Sequence, residues 1–342
     1  MKPNAIAYTC LIAILLVSGL AGQQKPEGGT GQKPTIRVDV DMVSLPVVVT
    51  NLVGKRITDL TREDFQVFED GVEQEIAGFA ATDEPVSIVL LLDTSGSTEL
   101  ELARIQNAAI YFVRQLHPDD EVAVISFADD IRLQQDFTID RDRNIYGIKK
   151  TRPGGWTVLY EAVWVALEEV LKPIKARKAL VLFTDGVDTR SRKATMRETL
   201  ELSKETRATI YCVYYNTESD QYARKRRPAV NLPIPQLPPV IINPTPPVYG
   251  GPGSSAEEYA TGRRYLSQLA ENSGGLVFDG MEDLSYAFAQ IAKELASQYS
   301  IGYYSTNRKH DGKFRKVEVK IKMAGLKART KKGYFAAKEK KL

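Results

Sequence analysis

The middle of the sequence alternates between short apolar runs and longer segments with helical periodicity, and this alternation limits the fold more than any other feature. Apolar runs recur at residues 86–92, 121–127, 178–184 and 208–215. Such runs are typical of parallel strands covered on both faces. One helical stripe comprises Ile105, Ala108, Ala109, Phe112, Val113 and Leu116. The pattern predicts an α/β fold with a mostly parallel, doubly wound sheet.

Both ends of this α/β region show a different periodicity. The segments "IRVDVDM" and "KVEVKIKM" alternate apolar and polar residues, which indicates half-buried strands. Asp70-Gly71 is typical of a hairpin turn. We therefore expect residues 35–82 and 299–337 to form one small β-sandwich-like domain, with the α/β region inserted in it or flanked by it.

The first 34 residues predict export. Residues 1–22 carry one charge, Lys2, and an apolar core followed by small residues, as in a signal peptide. The apolar stretch is short for a membrane span, which needs about 20 residues, although an uncleaved anchor stays open. Residues 23–34 are rich in Gly, Pro and Gln and indicate a flexible leader. The chain is expected to be periplasmic or secreted.

Composition excludes some classes of partner and leaves others open. The net charge of +3 argues against a nucleic-acid binder. The C-terminal region is basic, including the tail 338–342, and forms either a solvated face or a surface for acidic partners or lipid headgroups. The Pro-rich insertion 224–253 is either an extended loop or a polyproline II recognition segment. Cys212, the one cysteine after the signal peptide, lies in an apolar run and is expected to be buried.

In doubly wound sheets, ligands bind beyond the carboxyl ends of the strands. Polar side chains occupy these positions in the sequence. Asp93, Ser95 and Ser97 follow the first strand, and Asp185 follows "KALVLFT". Thr157 lies in the loop "PGGWT", where Trp156 either shapes a ligand rim or packs on the sheet. Two carboxylates and three hydroxyls suit a hard divalent cation such as Mg²⁺, with Mn²⁺ and Ca²⁺ as relatives.

These residues resemble a known motif. "DTSGS" at 93–97, Thr157 after two glycines and Asp185 in "TDG" are similar to the three parts of the metal-ion-dependent adhesion site of von Willebrand factor A (VWA) domains. The resemblance covers residues 85–298 and implies the Rossmann-like VWA fold. The flanks resemble the ends of exported VWFA-related proteins of acidobacterial type, a family without a settled function.

The resemblance also implies roles for the five residues. Ser95, Ser97 and Thr157 would be direct metal ligands, and Asp93 and Asp185 would act through water or alternate as ligands. The open position would take an Asp or Glu carboxylate of a protein partner. The expected function is a metal-dependent adhesion or protein-binding module, with association to the cell envelope as one setting. From the residues alone, Ser97 and Thr157 could instead be helix N-caps, and Asp185-Gly186 an ordinary turn.

Two other functions compete with this interpretation. A metal-dependent hydrolase would use Asp93 as a nucleophile, but Ser95 stands where haloacid-dehalogenase-like sites have a second aspartate. His117 and His310 fall in segments that are expected to be exposed, so we assign no catalytic residue and expect no enzyme. A cell-envelope scaffold with metal-independent docking is the second alternative.

Overall fold

A computed structural model describes residues 42–81, 84–215, 255–279 and 284–338. The predicted signal peptide, the leader and the Pro-rich insertion 224–253 lie outside these ranges, as do residues 339–342 of the basic tail. Within the described ranges, none of the helices combines the length and apolarity that a membrane crossing requires.

The centre of the molecule is a six-stranded sheet with the strand order β10-β9-β8-β5-β6-β7. Neighbouring strands are parallel except for β7, which runs antiparallel to β6 at the edge. This sheet confirms the predicted α/β class. Its strands are β5 (Ser87–Asp93), β6 (Glu121–Phe127), β7 (Ile131–Thr138), β8 (Lys178–Thr184), β9 (Thr209–Tyr214) and β10 (Val277–Asp279).

Helices cover both faces of the sheet because the strand side chains are apolar on both faces. β5, β8 and β9 are buried along their whole length. One face packs against α1, α2 and α6, and the other against α3 and α5, with α4 at its margin. The helices are α1 (Leu102–Gln115), α2 (Arg141–Lys150), α3 (Leu159–Trp164), α4 (Met196–Glu205), α5 (Ala256–Ser273) and α6 (Leu284–Leu295).

The crossover helix differs in detail from its prediction. The sequence predicts one regular helix from Thr157 to Leu171, but α3 changes at Val165 into a π-helical turn, Val165–Leu171. The buried ammonium of Lys178 donates to the carbonyls of Leu171 and Ile174, both at 2.8 Å, and closes the end of this turn. Apolar spacing does not distinguish a π turn from an α turn over such a short stretch.

Strands from both ends of the described chain form two further sheets, ordered β13-β1-β11-β4 and β14-β12-β2-β3. β1 pairs with β11 and β12 pairs with β2, so each sheet joins sequence from before and after the α/β region. The strands are β1 (Val43–Asn51), β2 (Phe65–Glu69), β3 (Val72–Gln74), β4 (Ile76–Ala80), β11 (Gln298–Tyr303), β12 (Phe314–Ile321), β13 (Leu326–Arg329) and β14 (Gly333–Phe335).

The two sheets share an apolar core of their own. Leu45 and Tyr299 from one sheet and Val67 and Val319 from the other are buried in a single cluster. The alternation predicted for β12 is present up to Ile321. Met323, which the alternation assigned to the same face, lies beyond the end of β12 and is 43% exposed, since the chain turns there towards β13.

The predicted hairpin turn joins β2 to β3. Asp70 and Gly71 both have positive φ, 49° and 84°. Two successive positive φ angles are those of a type I′ turn, which suits the twist of paired strands and favours Asp-Gly.

The fold buries one charge whose removal should stabilise the protein. Lys331 is 4% exposed, and its burial, with a smaller effect of Arg207, lowers the pKa of its ammonium from 10.5 to about 8. Below pH 8 the folded state therefore holds a charge that the unfolded chain leaves in water, and this cost disappears as the pH rises from about 8 to 10.5. We expect Lys331→Met to raise the melting temperature by several degrees at pH 7 and by much less near pH 10.

Calorimetry of both proteins at the two pH values measures this effect. The matched control is Lys332→Met, because the Lys332 side chain is 67% exposed. If both variants raised the melting temperature equally, or if the rise in Lys331→Met did not depend on pH, burial of this charge would not be costly.

Candidate functional site

The first loop of the candidate site begins where β5 ends, at Asp93. This residue has no exposed surface. Its Oδ1 accepts the N–H of Ser95 at 2.9 Å and the hydroxyl of Ser95 at 2.6 Å. Its Oδ2 accepts the hydroxyl of Thr184, at the end of the neighbouring strand β8, at 2.7 Å. Three hydrogen bonds thus fix the carboxylate at the carboxyl edge of the parallel sheet.

Ser97 continues this row of oxygens towards the surface. The hydroxyl oxygens of Ser95 and Ser97 lie 3.1 Å apart. Because Ser95 donates its hydrogen to Asp93, Ser97 is the donor within the pair. Ser95 is buried and Ser97 is half-buried. A 3₁₀ turn, Gly96–Glu101, has Ser95 as its N-cap, so Ser97 is not an N-cap.

Thr157 occupies the second loop, between α2 and α3, and is 5% exposed. Its N–H donates to the hydroxyl of Thr189 at 2.8 Å. Its carbonyl accepts the N–H groups of Thr189 at 2.9 Å and Arg190 at 3.0 Å. The N-cap of α3 is Val158, so the Thr157 hydroxyl does not serve as a helix cap.

The first two loops are joined through their backbones. Gly154 donates to the carbonyl of Thr94 at 2.7 Å, and Gly96 donates to the carbonyl of Gly155 at 3.0 Å. A Cβ at Gly96 would lie 3.0 Å from that same carbonyl oxygen, which is tighter than most Cβ contacts, so the close approach favours glycine. The loop that carries Thr157 therefore lies directly against the one that carries Ser95 and Ser97.

Asp185 begins the third loop, immediately after β8, and is 2% exposed. Its Oδ1 accepts the N–H of Val187 at 3.1 Å, and Gly186 has a φ of +81°. A Cβ on Gly186 would lie 2.8 Å from the backbone of Gly262 in α5. The tight Asp-Gly turn is thus present, and it holds the Asp185 carboxylate at the same edge of the sheet as Asp93.

Burial of two carboxylates at one edge sets the electrostatics of the site. Burial, together with the nearby Asp185 carboxylate, raises the pKa of Asp93 to about 7, although the hydrogen bonds from Ser95 and Thr184 oppose the rise. Among the described residues, no Lys, Arg or His forms an ion pair with Asp93. A bound cation would offset both the desolvation and the repulsion, so the pair suits a positive ligand.

The donor set fits a hard cation rather than a soft one. It consists of carboxylate and hydroxyl oxygens, which Mg²⁺, Mn²⁺ and Ca²⁺ prefer. In the described part of the chain, no group of three or more His, Cys, Asp and Glu side chains is placed to hold a metal ion. Metal binding at this edge would therefore depend on the hydroxyls of Ser95, Ser97 and Thr157 as well as on the two carboxylates.

Three supporting residues were missed by sequence reasoning. Thr184 donates to Asp93 and accepts the N–H of Gly186 at 3.0 Å, which joins the first and third loops. Asp129 accepts the N–H groups of Gly155 and Trp156. Thr189 holds the backbone of Thr157. Two of these residues could have been found from their positions at strand ends. Thr184 directly precedes Asp185, and Asp129 lies two residues beyond β6.

Several solved structures are similar to this chain at low sequence identity. A von Willebrand factor type A protein from Catenulispora acidiphila is 14% identical with a TM-score of 0.47, covering 80% of this chain and 73% of that one. An aerotolerance-related membrane protein from Bacteroides fragilis is 16% identical with a TM-score of 0.42, covering 61% and 98%. Proximal thread matrix protein 1 from the mussel byssus, with a zinc-occupied MIDAS motif, is 17% identical with a TM-score of 0.42, covering 65% of this chain and about half, 48%, of that one.

Comparison with protein families gives a direct match. Residues 88–187 match the family model described as the von Willebrand factor type A domain. A search of curated proteins found no match. The matched segment extends from β5 to the turn after β8, so it includes all three loops of the candidate site. Over residues 88–187, this chain is similar to von Willebrand factor type A domains.

Proposed function

We propose that this chain is an exported binding module that holds a divalent cation and uses it to bind a protein partner. The cation would be Mg²⁺, or its relatives Mn²⁺ and Ca²⁺, at Asp93, Ser95, Ser97, Thr157 and Asp185. One coordination position is left for an Asp or Glu carboxylate of the partner. The observation that carries this proposal is the buried pair Asp93 and Asp185 beside a row of hydroxyls.

The buried carboxylate pair carries an energetic cost. Burying two negative groups close together destabilises the ionised form of both, and the hydrogen bonds to Asp93 come from uncharged donors. Such an arrangement suits a site whose charge is balanced by a ligand. A divalent cation balances both carboxylates at once, so its binding should stabilise the folded protein by mass action.

The two types of side chain are assigned different roles. Ser95, Ser97 and Thr157 supply neutral oxygens as direct ligands, and Asp93 and Asp185 supply the negative charge nearby. A cation with mainly neutral direct ligands keeps a strong attraction for an incoming carboxylate. The half-buried position of Ser97 leaves the site open to solvent on that side, where the partner's acidic group would enter.

Binding fits the chemistry of this site better than catalysis does. The Cys212 thiol is buried, and burial raises its pKa far above the usual range, which makes it a poor nucleophile. The side chain of His117 is 58% exposed and lies beside Asp119. Neither of these groups contacts the residues of the candidate site among the described contacts. We therefore propose a non-enzymatic role.

The setting of this function is proposed from sequence. The N-terminal segment favours export to the periplasm or the exterior, with retention by an uncleaved anchor as a variant. The partner is proposed to be a protein of the cell envelope or surface, not a nucleic acid, because the chain has a net charge of only +3.

Affinity capture from the native cell envelope tests the proposal. Wild-type protein should retain a partner in Mg²⁺ and release it in EDTA. Thr157→Val removes one hydroxyl without changing charge or size, so we expect it to weaken Mg²⁺ binding by about tenfold or more and to reduce capture in parallel.

The outcomes separate the competing functions. Capture that survives both EDTA and Thr157→Val would instead support a scaffold with metal-independent docking. Hydrolysis of a generic phosphoester that requires Mg²⁺ and disappears in Thr157→Val would support the metal-dependent hydrolase.

A further inference from the structure

The loop that carries Thr157 presents a large aromatic side chain to solvent. Trp156 is 45% exposed although it lies in the tightly bonded segment next to the candidate metal site. It does not pack down on the sheet, which was one of the two possibilities in the sequence. The Arg190 guanidinium lies 5.9 Å from the centroid of the indole ring, within cation–π range.

Hydrogen bonds hold this loop in one conformation. Gly154 donates to Thr94. Gly155 and Trp156 donate to the two carboxylate oxygens of Asp129, at 2.7 and 3.2 Å. The next N–H, that of Thr157, is bound as well. Four successive N–H groups are therefore fixed, so the backbone that carries the exposed ring has little conformational freedom to lose when a partner binds.

Arg190 is held beside the ring by the same network. Its backbone N–H donates to the carbonyl of Thr157 at 3.0 Å, and its guanidinium pairs with Asp129 at 3.2 Å. Backbone N–H donors and Arg190 lower the pKa of Asp129, which stays ionised. The charges of Arg190 and Asp129 balance each other, so this surface offers a flat apolar group rather than a free positive charge.

We propose that Trp156 and Arg190 form a rigid rim that contacts the partner and selects a carboxylate flanked by an aromatic side chain. This inference rests on the proposed metal-dependent function, because the carboxylate would enter at the adjacent site. Trp and Arg are the residues that most often dominate binding energy at protein interfaces. Trp156 precedes Thr157 in the chain and Arg190 donates its N–H to the Thr157 carbonyl, so both residues lie next to the position where the carboxylate would bind.

Three blocked five-residue peptides of one design provide the probe. The first has an aspartate between two phenylalanines, the second has alanines in place of the phenylalanines, and the third has asparagine in place of the aspartate. Each carries a trifluoroacetyl cap, whose ¹⁹F signal reports binding in the millimolar range. Titrations use the full chain in Mg²⁺ and in EDTA.

We expect the phenylalanine peptide to bind wild-type protein about threefold to tenfold more tightly than the alanine peptide, as for one aromatic pair. In Trp156→Ala this ratio should fall to about one, while the affinities for Mg²⁺ and for the alanine peptide change less than about twofold. Arg190→Gln should reduce the ratio partly, because the ring loses its neighbour.

Tyr146→Ala is the matched control. Tyr146 is 63% exposed and has its own cation, Lys150, 5.6 Å from the ring, but it lies on α2. This variant should keep the wild-type ratio. In a Trp164→Phe background Trp156 is the single tryptophan of the chain, and its emission should shift with the phenylalanine peptide and not with the alanine peptide.

The failures of the two proposals are distinct. Equal binding of the aspartate and asparagine peptides, or no effect of EDTA, would contradict the metal-dependent function while the Trp156 ratio still tests the rim. A wild-type ratio near one, or a ratio that persists in Trp156→Ala, would overturn the rim. So would the absence of peptide binding by a protein that binds Mg²⁺.

Discussion

Asp93→Asn is expected to abolish the binding of divalent cations while the protein stays folded. The substitution keeps the shape of the side chain but removes one of two buried negative charges at the sheet edge. In the folded protein the pKa of Asp93 is raised to about 7. The contribution of the protonated Asp93 carboxyl to stability is therefore fully present below about pH 4 and is lost as the pH rises to 7. The metal-free variant should therefore melt no lower than metal-free wild type at pH 7.5.

Titration calorimetry with Mg²⁺ and Mn²⁺ measures the effect, and the melting temperature in EDTA reports folding. Asp130→Asn is a suitable control, because Asp130 lies in the loop after β6 but its side chain is 57% exposed and pairs with Arg132. It should bind the cations as wild type does. Equal affinities for wild type and Asp93→Asn would remove Asp93 from the site.

Among the single substitutions described, Glu294→Ala is expected to cause the largest fall in the free energy of unfolding. Glu294 in α6 is 2% exposed and forms ion pairs with Arg56 at 2.8 Å and with Arg329. Arg56 follows β1 and Arg329 ends β13, so the cluster joins α6 of the α/β region to the sheet that contains β1 and β13. Removing the carboxylate leaves two arginines without their shared counter-charge. We expect the free energy of unfolding to fall by about 3 kcal/mol. This value is near the lower limit for buried ion pairs, because both arginines are partly exposed.

Denaturant unfolding of matched variants distinguishes the ion cluster from general sensitivity to mutation. Glu271→Ala removes an exposed pair with Lys332, 2.6 Å long, and should cost less than about 1 kcal/mol. Replacing Glu294, Arg56 and Arg329 together by Leu, Met and Met should restore much of the loss, since apolar side chains often substitute well for a buried ion cluster. A cost for Glu294→Ala as small as that for Glu271→Ala would mean that the cluster is effectively solvated.

The α/β architecture was predictable because its strands are long apolar runs and its helices have regular stripes. The stripe from Ile105 to Val113 is buried in α1 as predicted. The extra width of the Val165–Leu171 turn was not predictable, because it depends on how Lys178 closes the helix end rather than on apolar spacing. The ends of strands were also uncertain, as Met323 shows, since alternation continues by chance past the last ladder pair.

The five candidate ligands could be named from sequence because their residue types and their places at strand ends are visible there. The bonds that hold them could not be named. Asp129 and Thr189 are far in sequence from the loop that they bind, at separations of 26 and 32 residues, and no local pattern marks such a contact. The exposure of Trp156 likewise depends on this network rather than on its neighbours in the chain.

The antiparallel pairing of β1 with β11 determines how the molecule would respond to force. Val43 at the start of β1 lies beside Tyr303, whereas Gln298, where the chain returns from the α/β domain, lies beside Val48 at the opposite end. The other connection, Ala80, is beside Ser300 at that same end. A pull between the chain before Val43 and a partner on the α/β domain would slide β1 lengthwise against β11. All of the hydrogen bonds between β1 and β11 would then bear the tension together instead of breaking one by one, so this pair of strands would resist the force in shear.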